Sequence, residues 1–221
     1  MLALVLDLDG TLIDSLPDIH AAMTAALAAW GRPPVPVPDL RAMLGDGAPI
    51  LAGRALKAAG PPLPPDEEAA FARHFMRTYD ANSAVRTHPF AGVRETLALL
   101  RAQGHRLGVC TNKPHGASQA LVQRLGLAPL LDAVVGGDAL PDCKPHPAHL
   151  WATVRAMGAE GWPAVMVGDT APDAEVARRA GVPFVLAAYG YARPQDGTLA
   201  ADAVITRFAE LPDVLEGLVR R

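Results

Sequence analysis

Asp7 and Asp9 stand two residues apart where an apolar run, Leu2-Ala3-Leu4-Val5-Leu6, meets Gly10 and Thr11. On an extended chain this spacing projects both carboxylates from one side, so they can meet one bound group. Neighbouring carboxylates repel, which raises the proton affinity of at least one, so that one stays ionised while the other delivers a proton. Asp-Gly-Thr is also ordinary turn chemistry, so the pair alone does not define a site. Three more polar clusters are associated with further apolar runs. Thr111-Asn112-Lys113 offers a hydroxyl and unpaired backbone N–H groups to an anion. Lys144 is a cation set just before a helix and stiffened by Pro145 and Pro147. Gly168-Asp169-Thr170-Ala171-Pro172-Asp173 adds two acids, with Pro172 suited to a helix first turn and Asp169 or Thr170 to an N-cap.

Turn, surface and capping readings explain each cluster separately; one site explains all four. Several carboxylates bind a hard divalent cation, and Thr111 with Lys144 binds an oxyanion beside it. Mg²⁺ is the expected metal, because it takes oxygen ligands and usually bridges to phosphate. A carboxylate approaching a phosphate faces repulsion of about 4 kcal/mol per unit-charge pair at ~4 Å and an effective dielectric near 20. A divalent cation, Lys144 and backbone N–H groups would offset that repulsion and favour phosphoryl transfer.

The elements that must position these residues alternate. Apolar runs at Leu2–Leu6, Arg106–Cys110, Ala133–Gly136, Ala164–Val167 and Pro183–Ala187, with a weaker one at Ala203–Ile205, read as strands. Between them, helical patterns end at Gly104, Gly126, Gly158 and Gly181. Strand–helix alternation predicts an α/β protein with a Rossmann-like parallel sheet and helices on both faces, its chemistry at the carboxyl ends of the strands. About 90 residues separate the first two strands, far more than a crossover needs. The surplus carries apolar helical faces, Leu16/Ile19/Met23/Leu27/Trp30 and Phe71/Phe75/Met76/Tyr79, with a shorter helix through Ile50, Leu51, Ala55 and Leu56. This predicts an inserted α-helical domain over 15–84, with 1–14 and 85–221 forming the core. The proline runs at 33–38 and 61–65 read as stiff turns between its helices, a proline-recognition motif being the competing reading.

The 221 residues are 50% hydrophobic and 19% charged, enough to bury a core and too apolar for disorder. A net charge of −3 without a basic stripe argues against a nucleic-acid partner. Two distant cysteines, Cys110 and Cys143, support neither a disulfide framework nor a four-ligand zinc site and fit a reducing compartment. No apolar stretch approaches the ~20 residues of a membrane span. The expectation is a cytoplasmic monomer or homodimer acting on a small molecule.

In order and spacing, Asp7-Leu8-Asp9-Gly10-Thr11-Leu12, Thr111-Asn112, Lys144-Pro145 and Gly168-Asp169 through Asp173 resemble the four motifs of the haloacid dehalogenase superfamily, specifically its phosphatases. The resemblance spans the whole chain. It implies a Rossmann-like core with an α-helical cap inserted after the first motif, and an Mg²⁺-dependent phosphate monoester hydrolase working through an aspartyl-phosphate. Under it, Asp7 is the nucleophile and Asp9 the acid that protonates the leaving oxygen and then activates water. The Asp7 carboxylate, the Asp9 backbone carbonyl and the Asp169 carboxylate hold Mg²⁺. Gly10, Thr111, Asn112 and Lys144 hold the phosphoryl group, and Asp173 supports the site through water or by orienting Lys144. Asp9 also sets the chain apart from the dehalogenating members, which lack an acid there.

The stretch Met43-Leu44-Gly45-Asp46-Gly47-Ala48 with Arg54, together with Asn112-Lys113-Pro114 and Tyr189-Gly190-Tyr191, is similar to the phosphoglycolate phosphatases of that family. It implies that Gly45, Asp46 and Arg54 reach over a substrate such as 2-phosphoglycolate, although an acid at position 46 would repel a carboxylate unless it points away. The alternatives are a phosphatase or mutase for a sugar phosphate such as N-acetylmuramic acid 6-phosphate, or a phospho-acceptor signalling module. The latter resembles the chain in its acids, Thr and Lys but is about half as long and lacks a cap.

Overall fold

In the computed structural model, which describes residues 1–191 and 199–219, all six apolar runs are strands of one parallel sheet. Strand β1 (Ala3–Leu6) leads through β2 (Ile13–Asp14) into four helices, α1 (Leu16–Ala29), α2 (Val37–Ala42), α3 (Ala48–Ala59) and α4 (Pro65–Asn82). The chain returns along β3 (His88–Pro89). It then alternates through α5 (Val93–Ala102), β4 (Arg106–Cys110), α6 (His115–Arg124), β5 (Ala133–Val135), α7 (Pro147–Ala156), β6 (Ala164–Gly168) and α8 (Ala171–Ala180). Strands β7 (Phe184–Ala187) and β8 (Ala203–Ile205) and helix α9 (Leu211–Val219) complete it.

The sheet order is β5-β4-β1-β6-β7-β8, which puts β1 between β4 and β6. Its pairings, Leu4 with Leu107 and Leu4 with Val165, are parallel on both sides. Successive β1 residues face opposite layers, so an unbroken apolar run is what a doubly covered strand requires. Leu4 and Leu6 pack with Leu97 of α5, Leu121 of α6 and Leu215 of α9, whereas Ala3 and Val5 pack with Leu150 and Val154 of α7 and Val176 of α8. The order of connections reverses at β1, and that switch point opens a crevice at the carboxyl ends of β1, β4 and β6.

Helices α1 to α4 form a cap with its own core, including Met23, Leu27, Leu40, Leu56, Phe71 and Phe75. Trp30 meets Phe71 edge to face at 5.5 Å. Two connections join cap and core, and they pair with each other as an antiparallel ribbon, Ile13 with Pro89 and Asp14 with His88. Asp18 of α1 fastens the returning connection: its carboxylate accepts from the N–H groups of Val85 (3.1 Å), Arg86 (3.0 Å) and Thr87 (2.9 Å) and from the Thr87 hydroxyl (2.7 Å). Burial pushes the Asp18 pKa up, but these donors outweigh it and hold the carboxyl below its ordinary value.

Two features depart from the sequence reading. The proline run at 33–38 is not only a turn: Pro36 caps α2 and Pro38 lies in its first turn, where a missing N–H costs nothing. The β2–β3 ribbon carries no alternating pattern, because two-residue strands are too short to show one. Among the described residues no helix is long and apolar enough to cross a membrane.

Candidate active site

Strand β1 ends at Leu6, and the next residues fold back at once: the N–H groups of Leu12 and Ile13 both bond the Leu8 carbonyl. Gly10 makes this turn at φ +88°, a left-handed conformation that glycine adopts without penalty. A Cβ at Gly10 would also collide with the Asp169 carboxylate, so the glycine makes room for the acid arriving from β6. Its N–H is engaged by the Ile13 carbonyl at 2.9 Å. Gly10, expected at the phosphoryl group, is not among the lining residues of the adjoining cavity, and what the structure shows of it is this steric fit.

Because the extended geometry stops at the end of β1, the Asp7 and Asp9 carboxylates take different partners, although both line one cavity. Asp7 is buried, with Oδ1 2.8 Å from the Lys144 Nζ. That oxygen pairs with the ammonium and accepts no other hydrogen bond among the described residues. Lys144 points its ammonium at Asp173 Oδ1 as well, at 2.6 Å. Asp169 completes the group, and one carboxylate oxygen from each of Asp7, Asp169 and Asp173 lies within 4.8 Å of the others. Burial, then the Asp173 charge, raises the Asp7 pKa against the pull of Lys144; burial with the charges of Asp7 and Asp173 raises Asp169. The like charge perturbing Asp7 therefore comes from Asp173 of α8 rather than from Asp9. Lys144 keeps its proton because its two acid partners outweigh the effect of burial.

Three buried carboxylates around one ammonium leave an excess of negative charge, and Asp7 Oδ1 has no donor besides that ammonium among the described residues. A hard divalent cation fits that donor set, since oxygen ligands alone surround the position and a second positive centre would relieve the repulsion. Asp169 is held for such a role by the Thr11 hydroxyl (2.9 Å) and the Tyr191 N–H (2.7 Å). Asp173 Oδ2 accepts from the N–H groups of Asp169 (3.2 Å) and Thr170 (2.9 Å) and from the Thr170 hydroxyl (2.6 Å), which caps α8 while Oδ1 holds Lys144. Asp173 thus serves as both helix cap and lysine orienter.

The Asp9 carboxylate turns toward the cap. It accepts from the Ser15 hydroxyl at 2.5 Å and from the Lys113 ammonium at 3.0 Å. Lys113 also donates to the Tyr79 hydroxyl of α4 at 2.9 Å and sits 4.3 Å from the centre of that ring. Sequence reasoning assigned no role to Ser15, Lys113 or Tyr79. Lys113 could have been found, since it directly follows Thr111-Asn112 at the end of β4; Tyr79 could not, because its spacing marks only an apolar helical face. Tyr191, quoted only for similarity, donates its hydroxyl to Asp14 at 3.0 Å and accepts from the N–H groups of Ser15 and Leu16.

A cavity of about 70 Å³ separates cap from core, with Asp7, Asp9, Thr111, Asn112 and Lys113 on the core side. Leu44, Leu51, Phe75 and Met76 make much of the cap side apolar. Gly45 lines it too, its carbonyl accepting from the Asn112 amide at 3.0 Å while the same amide donates to the Lys144 carbonyl at 3.0 Å. Both N–H bonds of that side chain are therefore engaged in joining cap loop to core, and neither is free for a phosphoryl group. Asp46 and Arg54 do not reach the cavity; they pair with each other at 2.6 Å, both partly exposed, and Arg54 also bonds the Met43 carbonyl. Of the three expected cap residues, Gly45 lines the cavity, whereas Asp46 and Arg54, eight residues apart, pair with each other outside it.

A family model described as haloacid dehalogenase-like hydrolase matches residues 1–181. A phosphoglycolate phosphatase of Caulobacter vibrioides is 43% identical over 206 residues, covering 93% of this chain and 87% of that protein. One from Cereibacter sphaeroides is 40% identical over 219 residues, covering 99% and 100%. The crystal structure of a predicted phosphoglycolate phosphatase from Haemophilus somnus superposes with a TM-score of 0.89 at 32% identity, covering 96% and 97% of the two chains.

Proposed function

The chain belongs to the haloacid dehalogenase-like hydrolases and is a phosphatase, and from that premise we propose that it hydrolyses 2-phosphoglycolate or a similarly small monoester, with Mg²⁺ as cofactor and Asp7 as nucleophile. The observation that carries the reading is the meeting of Asp7, Lys144, Asp169 and Asp173 in one buried cluster at the strand tips. In the first step an Asp7 oxygen forms a bond to phosphorus as the ester P–O bond breaks, and Asp9 gives a proton to the departing oxygen. Water then attacks phosphorus and gives its proton to Asp9, releasing inorganic phosphate and restoring the Asp7 carboxylate. Asp7, Asp169 and the Asp9 backbone carbonyl would hold the ion, and when bound it supplies positive charge that offsets repulsion between Asp7 and the phosphoryl oxygens. Lys144 adds its own charge beside Asp7, and Asp173 keeps it there. The Thr111 hydroxyl, buried at the end of β4 and lining the cavity, would donate to a phosphoryl oxygen.

Residues 15–84 act in this scheme as a cap that closes the cavity against water. The cap side of the cavity, with Leu44, Leu51, Phe75 and Met76, offers few polar partners to the several hydroxyls of a sugar phosphate. The phosphoglycolate phosphatase relatives point the same way. The test is phosphate release from a panel of monoesters with and without Mg²⁺, for the wild type and Asp7→Asn. The substitution is expected to lower turnover by at least ~10³-fold with the fold intact; undiminished release would remove Asp7 as nucleophile. Stable accumulation of phospho-aspartate from acetyl phosphate, without turnover, would instead identify a phospho-acceptor module.

A further inference from the structure

We propose that Lys113 is the specificity-determining residue of this phosphatase, its buried ammonium binding a negatively charged group on the leaving alcohol one carbon from the ester oxygen. The inference rests on the phosphatase reading and specifies what the site selects. Among the described residues that line the cavity, Lys113 is the one cation. Its side chain is 7% exposed, so its charge acts with little solvent screening. Its ammonium contacts both Asp9 oxygens, at 3.0 and 3.4 Å, and the Tyr79 hydroxyl at 2.9 Å, and the long 3.4 Å contact is the one a ligand anion would replace.

Its position fixes what it can read. The acid at Asp9 must face the ester oxygen to protonate it, and Lys113 Nζ lies 3.0 Å from Asp9 Oδ2. A group that pairs with Lys113 is therefore held beside the ester oxygen, the place of a carboxylate attached to the ester carbon. The remainder of the wall offers such an anion no second cation among the described residues. Leu44, Leu51, Phe75 and Met76 are apolar, Arg54 is held outside by Asp46, and Asp80 at the exposed rim is repulsive. Tyr79 is supplied by α4, so the cap contributes one of the groups that hold the ammonium, and Asp9 of the core the other.

The experiment compares kcat/KM for 2-phosphoglycolate and for ethyl phosphate, which has a methyl group in place of the carboxylate, in the wild type, Lys113→Met and Lys113→Arg. The wild type is expected to prefer the acid ester. Lys113→Met should shrink that preference by roughly 10- to 100-fold, the worth of one charge-assisted hydrogen bond, with much of the change in KM. Lys113→Arg, which keeps the charge, should retain most of the preference. Equal losses on both esters would overturn the proposal, because they would make Lys113 only a support for Asp9; an unchanged preference would overturn it as well. Thermal unfolding of each variant shows whether a loss is one of folding, and Lys113→Arg then decides. Failure of the phosphatase reading looks different, since the wild type would release phosphate from neither ester.

Discussion

Replacing Lys144 by Met tests the electrostatic account of the acid cluster without reference to turnover. The side chains have similar length, so the change removes a charge from a 3% exposed position and leaves little cavity. Asp7 loses its partner at 2.8 Å and Asp173 its partner at 2.6 Å, and with Asp169 three buried carboxylates then face one another uncompensated. Removing one partner of a buried ion pair costs about 3–5 kcal/mol. For a chain of this size, each kcal/mol shifts Tm by roughly 2–4 °C, so a fall of roughly 6–20 °C is expected. The assay is thermal unfolding at pH 7.5 in EDTA, followed by circular dichroism. Added Mg²⁺ should then return part of the loss, up to about 2.7 kcal/mol at a free concentration 100 times its Kd, because the ion restores positive charge among the same acids. A Tm within ~2 °C of the wild type in EDTA would refute the reasoning, and a variant indifferent to Mg²⁺ would remove the cluster as a metal site.

The Asp46–Arg54 pair makes Asp46→Asn nearly silent toward substrate: KM for 2-phosphoglycolate should stay within ~2-fold, as expected for a partly exposed ion pair outside the cavity, and a larger fall would place the acid at the ligand. His149 gives a pH dependence. Its Nδ1 accepts from the Lys144 N–H while Nε2 donates to the Val135 carbonyl, so the fold requires the neutral ring, and burial with the Lys144 charge lowers its pKa to about 4. A histidine depressed in the folded state stabilises fully above its unfolded pKa near 6.5 and loses that contribution as pH falls toward about 4, which amounts to about 2 kcal/mol between pH 7 and 5. Asp7 works in the opposite direction, since its raised pKa favours the folded state as pH falls, so the measurement is the difference between wild type and His149→Gln in urea unfolding. Parallel pH curves for the two would refute the assignment.

What was legible follows from how a parallel sheet collects its strand ends. Asp7, Thr111 and Asp169 each directly follow a strand, and Lys144 lies in the loop after β5; once β1, β4 and β6 were neighbours these residues had to approach. The cap was legible for a related reason, since its helices bury Met23, Leu27, Phe71 and Phe75 away from the sheet, and a second apolar periodicity within one long crossover has no other place to go. Pairing between acids and cations was not legible. Extended-chain geometry put Asp7 and Asp9 together, but the turn at Gly10 sends one to Lys144 and the other to Lys113, 31 residues from each other in sequence. The same applies to Asn112, whose amide joins the cap loop and the Lys144 loop, two partners that only the closed arrangement brings together.

The divergence of the two acids has a chemical consequence. Were Asp7 and Asp9 to share one environment, each would hinder ionisation of the other, and the nucleophile would compete with the acid for a single proton. The two acids have separate cations: Lys144, bound by Asp173 within the core, stands beside Asp7, whereas Lys113, which also donates to Tyr79 of the cap, stands beside Asp9. Ser15, whose hydroxyl meets Asp9 and whose N–H meets Tyr191, stands at the connection where the cap begins. In the proposed mechanism the nucleophile is therefore positioned by residues of the core, while the acid also meets Ser15 at the cap connection and, through Lys113, Tyr79 of the cap. On that reading phosphoryl binding falls to core residues and selection of the leaving group to a side chain shared with the cap.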